Sequence, residues 1–379
     1  MQSVPLENGP VSVTGAFDFD RTSTGITPRR LPDWTRMQLQ AFDKAMVTMG
    51  SGVRLEFVTD ADRIELDFMM TRLDLGGVPI AAFDLVIDHG EPITVRGEGG
   101  NLVTMDAESP LGYRVEPGEP SAIVFSDLGT KIRQCALWIP ANAQVELRDL
   151  RINDGAVISA VPESKRPRWV HHGSSISHCM EARQPTGTWP VVAARLADVE
   201  VINLGLGGCC HLDQYVARTM RDTPADFLSL KVGINIVNGD SLKVRTFAPA
   251  LHGFLDTIRE GKPDTPFLIV SPIYCPVHEK IPGPTLPGEG RKAGSREGFE
   301  EIRIGALTLE LVRQLISDVV EARRTAGDNN LFYLDGLELF GEEDADDLPD
   351  DLHPNAAGYA RMGNRFNDRV FAPGGFFAG

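Results

Sequence analysis

The chain has 379 residues, of which 42% are hydrophobic and 24% charged, and its formal net charge is −16. That length and balance describe a globular protein with room for two domains. The negative charge disfavours nucleic acid, whose phosphates need lysine and arginine footprints, and equally disfavours anionic membranes and strongly anionic substrates.

In chain order, Met1-Gln2-Ser3-Val4-Pro5 lacks the basic start and apolar core of a signal peptide, so a cytoplasmic location is expected. No apolar run reaches the length of about 18 residues that marks a transmembrane helix. Residues 1–161 read as β-rich. Val53, Leu55 and Phe57 alternate with Arg54 and Glu56, and Ile64, Leu66 and Phe68 alternate with Arg63, Glu65 and Asp67. Further strands are expected at 82–87, 93–95, 122–125, 132–139 and 145–152, with turns at Gly50-Ser51-Gly52, His89-Gly90 and 97–101. Period-two alternation between polar turns predicts an antiparallel β-sandwich, jelly-roll-like in kind. Pro162 to Pro167 is polar with a proline at each end and reads as a linker.

From residue 168 to 379 the pattern changes. Short apolar strands are expected at 169–171, 199–202, 227–232, 267–270 and 331–334. Helices are expected at 191–196, 247–260, 307–323 and 356–370. Strands alternating with amphipathic helices predict an α/β domain, a parallel sheet covered on both faces in three α/β/α layers. The Pro- and Gly-rich stretch 274–295 has no periodicity and reads as a long loop that walls or covers a site. The cysteines Cys135, Cys179, Cys209, Cys210 and Cys275 show neither a disulfide framework nor zinc-ligand spacing. They read as buried thiols in a reducing compartment, and no metal is expected.

Four segments carry chemistry. Ser175 follows the strand-like Arg168 to His172 in Gly173-Ser174-Ser175-Ile176, and Asp350 and His353 lie near the C-terminus. A serine hydroxyl is a weak nucleophile, so it needs a positioned base, and the base needs a partner that holds its tautomer. Between them lie Asn203 to Gly208 and Gly233-Ile234-Asn235, each a turn after an apolar strand. Open α/β sheets bind ligands at the C-terminal ends of their strands, where backbone N–H groups and an Asn amide can hold an oxyanion. Asp350 stands among Asp344, Asp346, Asp347 and Asp351, and such a charge run also reads as a solvated surface. His171, His172, His178 and His211 flank the same loops without an assigned role.

In this order the segments resemble the SGNH (GDSL-type) hydrolase family, over roughly residues 168–370. Gly173-Ser174-Ser175-Ile176 stands where the family has Gly-Asp-Ser-Leu, and Gly208 ends a block like its Asn-x-Gly-x-Ser-Gly. Asn235 matches the Asn of Gly-x-Asn-Asp, Asp350 and His353 match Asp-x-x-His, and Trp189-Pro190 matches a Trp-Pro common after the nucleophile. The chain departs from the pattern at Ser174, Gly207 and Ile236. The resemblance implies a flavodoxin-like domain with Ser175 as nucleophile, His353 as base and Asp350 as its orienter. It implies an oxyanion hole from Ser175, Gly208 and Asn235, and no cofactor. A β-sandwich ahead of such a domain is similar to two-domain carbohydrate esterases. The implied activity is hydrolysis of a small acyl ester, acetyl or short-chain, of a sugar or a natural product. Two alternatives stay open: an acyltransferase using the same acyl-enzyme, and a glycan- or ligand-binding protein with a decayed hydrolase domain. A small-molecule ester is the expected partner, with no nucleic acid or membrane, and a homo-oligomer is allowed.

Overall fold

A computed structural model describes residues 1–74, 80–106, 113–288, 292–295 and 304–378. The chain forms two compact units, Met1–Lys165 with Cys179–Val191, and Arg166–His178 with Val192–Gly379. The break at 165/166 falls within the stretch expected to be a linker. The segment 179–191, which the sequence places after that linker, groups with the first unit. There the buried Asp84 accepts hydrogen bonds from Thr186 N–H (3.0 Å) and Oγ (2.6 Å), and from Thr94 Oγ (2.6 Å).

The first unit holds an eight-stranded and a six-stranded sheet. Ile64–Asp74 and Ala143–Ile152 pair antiparallel at the centre of the larger sheet, with a register shift between Leu147 and Asp149. Arg133–Trp138 lies between Arg54–Thr59 and Ala82–Ile87 in the smaller one. From Ile64 to Thr71 buried and half-buried residues alternate, as a pleated strand with one apolar face requires. Leu66, Phe68, Val145 and Leu147 of one sheet share a single core with Leu55, Phe57, Phe83 and Leu137 of the other. The sequence pattern missed the short strands Gln2–Val4, Ser12–Thr14, Asp18–Arg21 and Ile26–Arg29 and the helix Ala41–Val47. The four strands, of three or four residues, are too short to show a period.

The second unit is built on five parallel strands in the spatial order Glu200–Gly205, Arg168–Gly173, Phe227–Lys231, Phe267–Val270, Leu331–Leu334. The second strand in sequence thus sits outside the first, the flavodoxin-like order that opens a crevice at the strands' C-terminal ends. Every residue of Glu200–Gly205 and Phe267–Val270 is buried. Val244–Arg259 buries Phe247, Leu251, Phe254, Leu255 and Ile258. Leu309–Thr325 is capped by Thr308, whose Oγ accepts from Leu311 N–H. The helix Gln214–Asp222 was not expected from the sequence, because few of its residues are apolar, yet Tyr215, Val216 and Met220 are buried on one side. The last helix, Ala356–Phe366, opens into a wider turn over Asn367–Phe371 where a single helix to residue 370 was expected. Among the described residues no helix is long and apolar enough to cross a membrane.

His171 lies within the first strand of this sheet and is fully buried. Its Nδ1 and Nε2 bond to the hydroxyls of Ser229 (2.7 Å) and Ser177 (2.8 Å), and Trp169 Nε1–H donates to the same Ser229 Oγ (2.8 Å). Burial pushes the imidazole pKa well below its ordinary value, with His172 and Lys231 adding to the shift. The unfolded chain therefore binds a proton below about pH 6.5 that the folded protein refuses. Stability should fall as pH drops through that value. Urea midpoints should be lower at pH 5.5 than at pH 7.5, and His171→Gln should remove part of the difference.

Candidate active site

The first strand ends at Gly173, and Ser175–His178 forms one helical turn immediately after it. Ser174, buried where the family pattern has an acid, caps this turn. Its Oγ accepts from Ile176 N–H (3.3 Å) and its carbonyl from the N–H groups of Ser177 and His178 (both 3.0 Å). Ser175 is thereby held half-buried at the sheet's C-terminal edge. Its own N–H belongs to a first turn, where no intrahelical acceptor exists.

The turn after the second strand is laced to this one. Asn203 Nδ2 donates to Ser177 O (2.9 Å) while its Oδ1 accepts from Gly205 N–H (2.9 Å). Leu206 N–H donates to Gly173 O (2.9 Å), and Gly207 N–H donates to His178 Nδ1 (3.2 Å). The two turns approach so closely that a Cβ on Gly205 would lie 2.6 Å from the Ser177 carbonyl carbon and 2.8 Å from His178 N. Gly208 is exposed, in the left-handed region at φ +69°, and its N–H has no acceptor among the described residues. Asn235 is the second residue of the helical turn after the third strand and is 5% exposed. Its Oδ1 accepts from Cys210 N–H (3.0 Å), which leaves Nδ2 as the end of the amide able to donate to a substrate. Ile236, where the family pattern has an acid, is fully buried and packs as core.

Asp350 and His353 sit on the loop before the last helix. Asn355 caps that helix by accepting from Ala357 and Gly358 N–H, so the chain direction at His353 is set by a defined helix start. Asp350 Oδ1 accepts from the backbone N–H of Leu352 (3.0 Å) and His353 (2.7 Å), and Oδ2 lies 2.8 Å from His353 Nδ1. His353 Nε2 lies 2.9 Å from Ser175 Oγ. Burial raises the Asp350 pKa, but the bonds from the His353 ring and the two backbone N–H groups outweigh it and hold the carboxyl below its ordinary value. An ionised carboxylate only accepts, so Nδ1 carries the proton and the Nε2 lone pair faces the serine hydroxyl. Asp351 is turned to a different partner, Lys292, at 3.0 Å.

The long loop is tied to both halves of the site. Thr285 N–H donates to Asn238 O (2.9 Å), Ala293 N–H to Asp350 O (3.0 Å), and Cys275 Sγ–H to Asp351 O (3.3 Å). A short hairpin, Leu286–Pro287 with Ala293–Gly294, interrupts the loop expected at 274–295, of which residues 289–291 lie outside the described residues. All five cysteines are buried with free thiols, and among the described residues no three His, Cys, Asp or Glu side chains gather as metal ligands.

The sequence model of the GDSL-like Lipase/Acylhydrolase family matches residues 172–361. This chain belongs to that family. It is an SGNH-type ester hydrolase. No curated protein sequence matches the chain. Among solved structures it resembles the salicylyl-acyltransferase SsfX3 from a tetracycline biosynthetic pathway, with 25% identity and a TM-score of 0.79 over 97% of this chain and 95% of that one. A putative GDSL-like lipase from Bacteroides ovatus is 19% identical with a TM-score of 0.68, over 96% and 95% of the two chains. A family two carbohydrate esterase from Clostridium thermocellum is 14% identical with a TM-score of 0.58, over 94% and 97%. The last two likenesses concern the fold alone.

Sequence reading left His178, Asn203 and His211 without roles, although Asn203 opens one of the segments it had singled out and the two histidines lie within three residues of one. Each holds backbone groups, a part that residue type and spacing do not spell out. Gly205→Ala forces the nucleophile turn to shift, since backbone atoms are what the new methyl meets. It should lower stability by about 1–3 kcal/mol and cut esterase turnover more than Gly253→Ala, whose Cβ meets nothing within 4 Å. Urea denaturation and initial rates on a chromogenic ester check both.

Proposed function

We propose that the enzyme cleaves small acyl esters through Ser175, His353 and Asp350, with the oxyanion held by the N–H groups of Ser175 and Gly208 and by Asn235 Nδ2. The observation that carries this reading is the unbroken hydrogen-bond chain from Ser175 Oγ through His353 to Asp350. As Ser175 Oγ attacks the ester carbonyl, its proton passes to His353 Nε2, and Asp350 stabilises the imidazolium. The tetrahedral oxyanion collapses, the C–O bond to the alcohol breaks, and His353 returns the proton to the leaving oxygen. Water then attacks the acyl-enzyme, giving its proton to His353, and the acid departs as Ser175 recovers its hydrogen.

We read the N-terminal unit as a jelly-roll-like β-sandwich, from its two sheets around one core. Its aromatic side chains argue for a small ester over a polysaccharide. Trp138 is buried beneath Arg54, and among the described residues of this unit the exposed rings Trp34, Phe42 and Tyr113 sit on three separate elements. A sugar chain needs a run of open ring faces to stack on, and three rings on three different elements make a poor platform of that kind. The substrate favoured is an acetyl or other short acyl ester of a sugar or a natural product.

A second reading is acyl transfer to an alcohol acceptor, favoured by the 25% identity to a salicylyl-acyltransferase over nearly the whole of both chains. The acyl-enzyme is common to both, and only the second nucleophile differs.

Ser175→Ala should lower turnover of aryl acetate and aryl butyrate on the order of 10³-fold or more, and a fluorophosphonate probe should label the wild type at Ser175 alone. Full activity in Ser175→Ala, or no labelling of the wild type, would overturn the mechanism. Asn235→Ala should lower kcat by about 10²–10³-fold. Chromatography of products formed with candidate alcohols present separates hydrolysis, which yields free acid, from transfer, which yields a new ester.

A further inference from the structure

The proposed oxyanion hole rests on a turn that is pinned from outside. The imidazole of His211 lies with Nε2 3.0 Å from the carbonyl oxygen of Gly208 and Nδ1 2.8 Å from Ser241 Oγ. A carbonyl only accepts, so Nε2 carries the proton and donates it to Gly208, while Nδ1 accepts from the Ser241 hydroxyl. Ser241 follows the short helix that bears Asn235, and its N–H donates to Ile236 O (3.1 Å). One residue before His211, Cys210 N–H donates to Asn235 Oδ1 (3.0 Å). The two turns that carry Gly208 and Asn235 are therefore joined twice, once through the His211 ring and once through the Cys210 amide.

We infer that His211 is a positioning residue for oxyanion stabilisation, acting through the Gly208 carbonyl to aim the Gly208 N–H. The physical need is specific. Gly208 sits at φ +69° and is exposed, and glycine moves between left- and right-handed backbone regions with little penalty. An exposed glycine amide left to itself samples directions that miss a developing oxyanion. A donor stabilises the transition state best when it is already oriented and no reorganisation is needed as charge builds. The bond to Gly208 O removes that freedom from the residue that supplies the N–H. The link to Ser241 sets the ring against the helix of the other donor, so the two donors keep their relative placement. Asp213 Oδ2, which accepts from His211 N–H (3.3 Å), holds the backbone of the same residue.

This inference rests on the proposed roles of Ser175 and Gly208. The test is steady-state kinetics on an aryl acetate for wild type, His211→Ala, His211→Gln, Ser241→Ala and Ser175→Ala. His211→Ala should lower kcat on the order of 10- to 100-fold, with KM within about twofold. Gln places an amide N–H near the position of the lost Nε2–H, so His211→Gln should recover most of the loss. Ser241→Ala, which leaves the ring without its second anchor, should fall between Ala and wild type. Fluorophosphonate labelling should slow in the same rank order, since it too develops negative charge on oxygen. The inference is overturned if His211→Ala turns over within twofold of wild type, if KM rises while kcat holds, or if Gln is no better than Ala. Should His211→Ala fail to fold by its urea midpoint, the comparison of His211→Gln and Ser241→Ala with wild type decides, and normal kcat in Ser241→Ala then overturns it. A working Ser175→Ala would instead overturn the nucleophile assignment itself, so the two failures are distinguishable.

Discussion

The 2.9 Å contact between His353 Nε2 and Ser175 Oγ joins residues 178 positions apart, and much of the second unit is arranged so that it can form. A serine hydroxyl does not ionise at neutral pH, so the contact is useful only if both partners arrive in fixed orientations. The serine side is fixed by the Ser174 cap and by the backbone bonds between the nucleophile turn and the turn after the second strand. The histidine side is fixed by three bonds to one carboxylate, two from backbone and one from the ring, and by the helix start at Asn355.

The parallel sheet supplies the frame. Its strand order places the turns after the first three strands at one edge, and these turns carry Ser175, Gly208 and Asn235. Buried polar groups then hold the edge in register: His171 between Ser177 and Ser229, His178 under Gly207, Asn203 between Ser177 and Gly205. Each such group would be costly if left unpaired in the interior, and each is used to fix backbone near the serine. The departures from the family pattern fit this economy. Ser174 serves as a cap and Ile236 as core, so these two departures change what packs around the candidate residues.

The loop from 274 to 295 contributes in the same manner. It bonds to Asn238, close to Asn235, and to Asp350 and Asp351, close to His353. Within it, His278 bonds to Ile281 O (3.0 Å) and Thr285 Oγ (2.7 Å), and burial lowers its pKa, so the neutral ring staples the loop to itself. A stretch without periodicity in sequence is therefore well tied in space at its described residues.

Much of this was legible in the residues alone. The five parallel strands announce themselves as short apolar runs because both faces of such a sheet are covered. The helix Val244–Arg259 announces itself by the spacing of Phe247, Leu251, Phe254, Leu255 and Ile258. Ser175, Gly208, Asn235, Asp350 and His353 stand out because their segments, in this order, resemble the blocks of the family. The tertiary structure alone decided what lies beside them. It bonds Asp350, which the family spacing had already pointed to, to the His353 ring and turns Asp351 to Lys292. It drew segment 179–191 to the first unit, through a bond between Asp84 and Thr186 that spans 102 positions. It also gave roles to His178, Asn203 and His211. Hydrogen bonds from side chain to backbone have no spacing rule, because any residue near a free carbonyl or N–H can make them, and only the folded chain brings the two together.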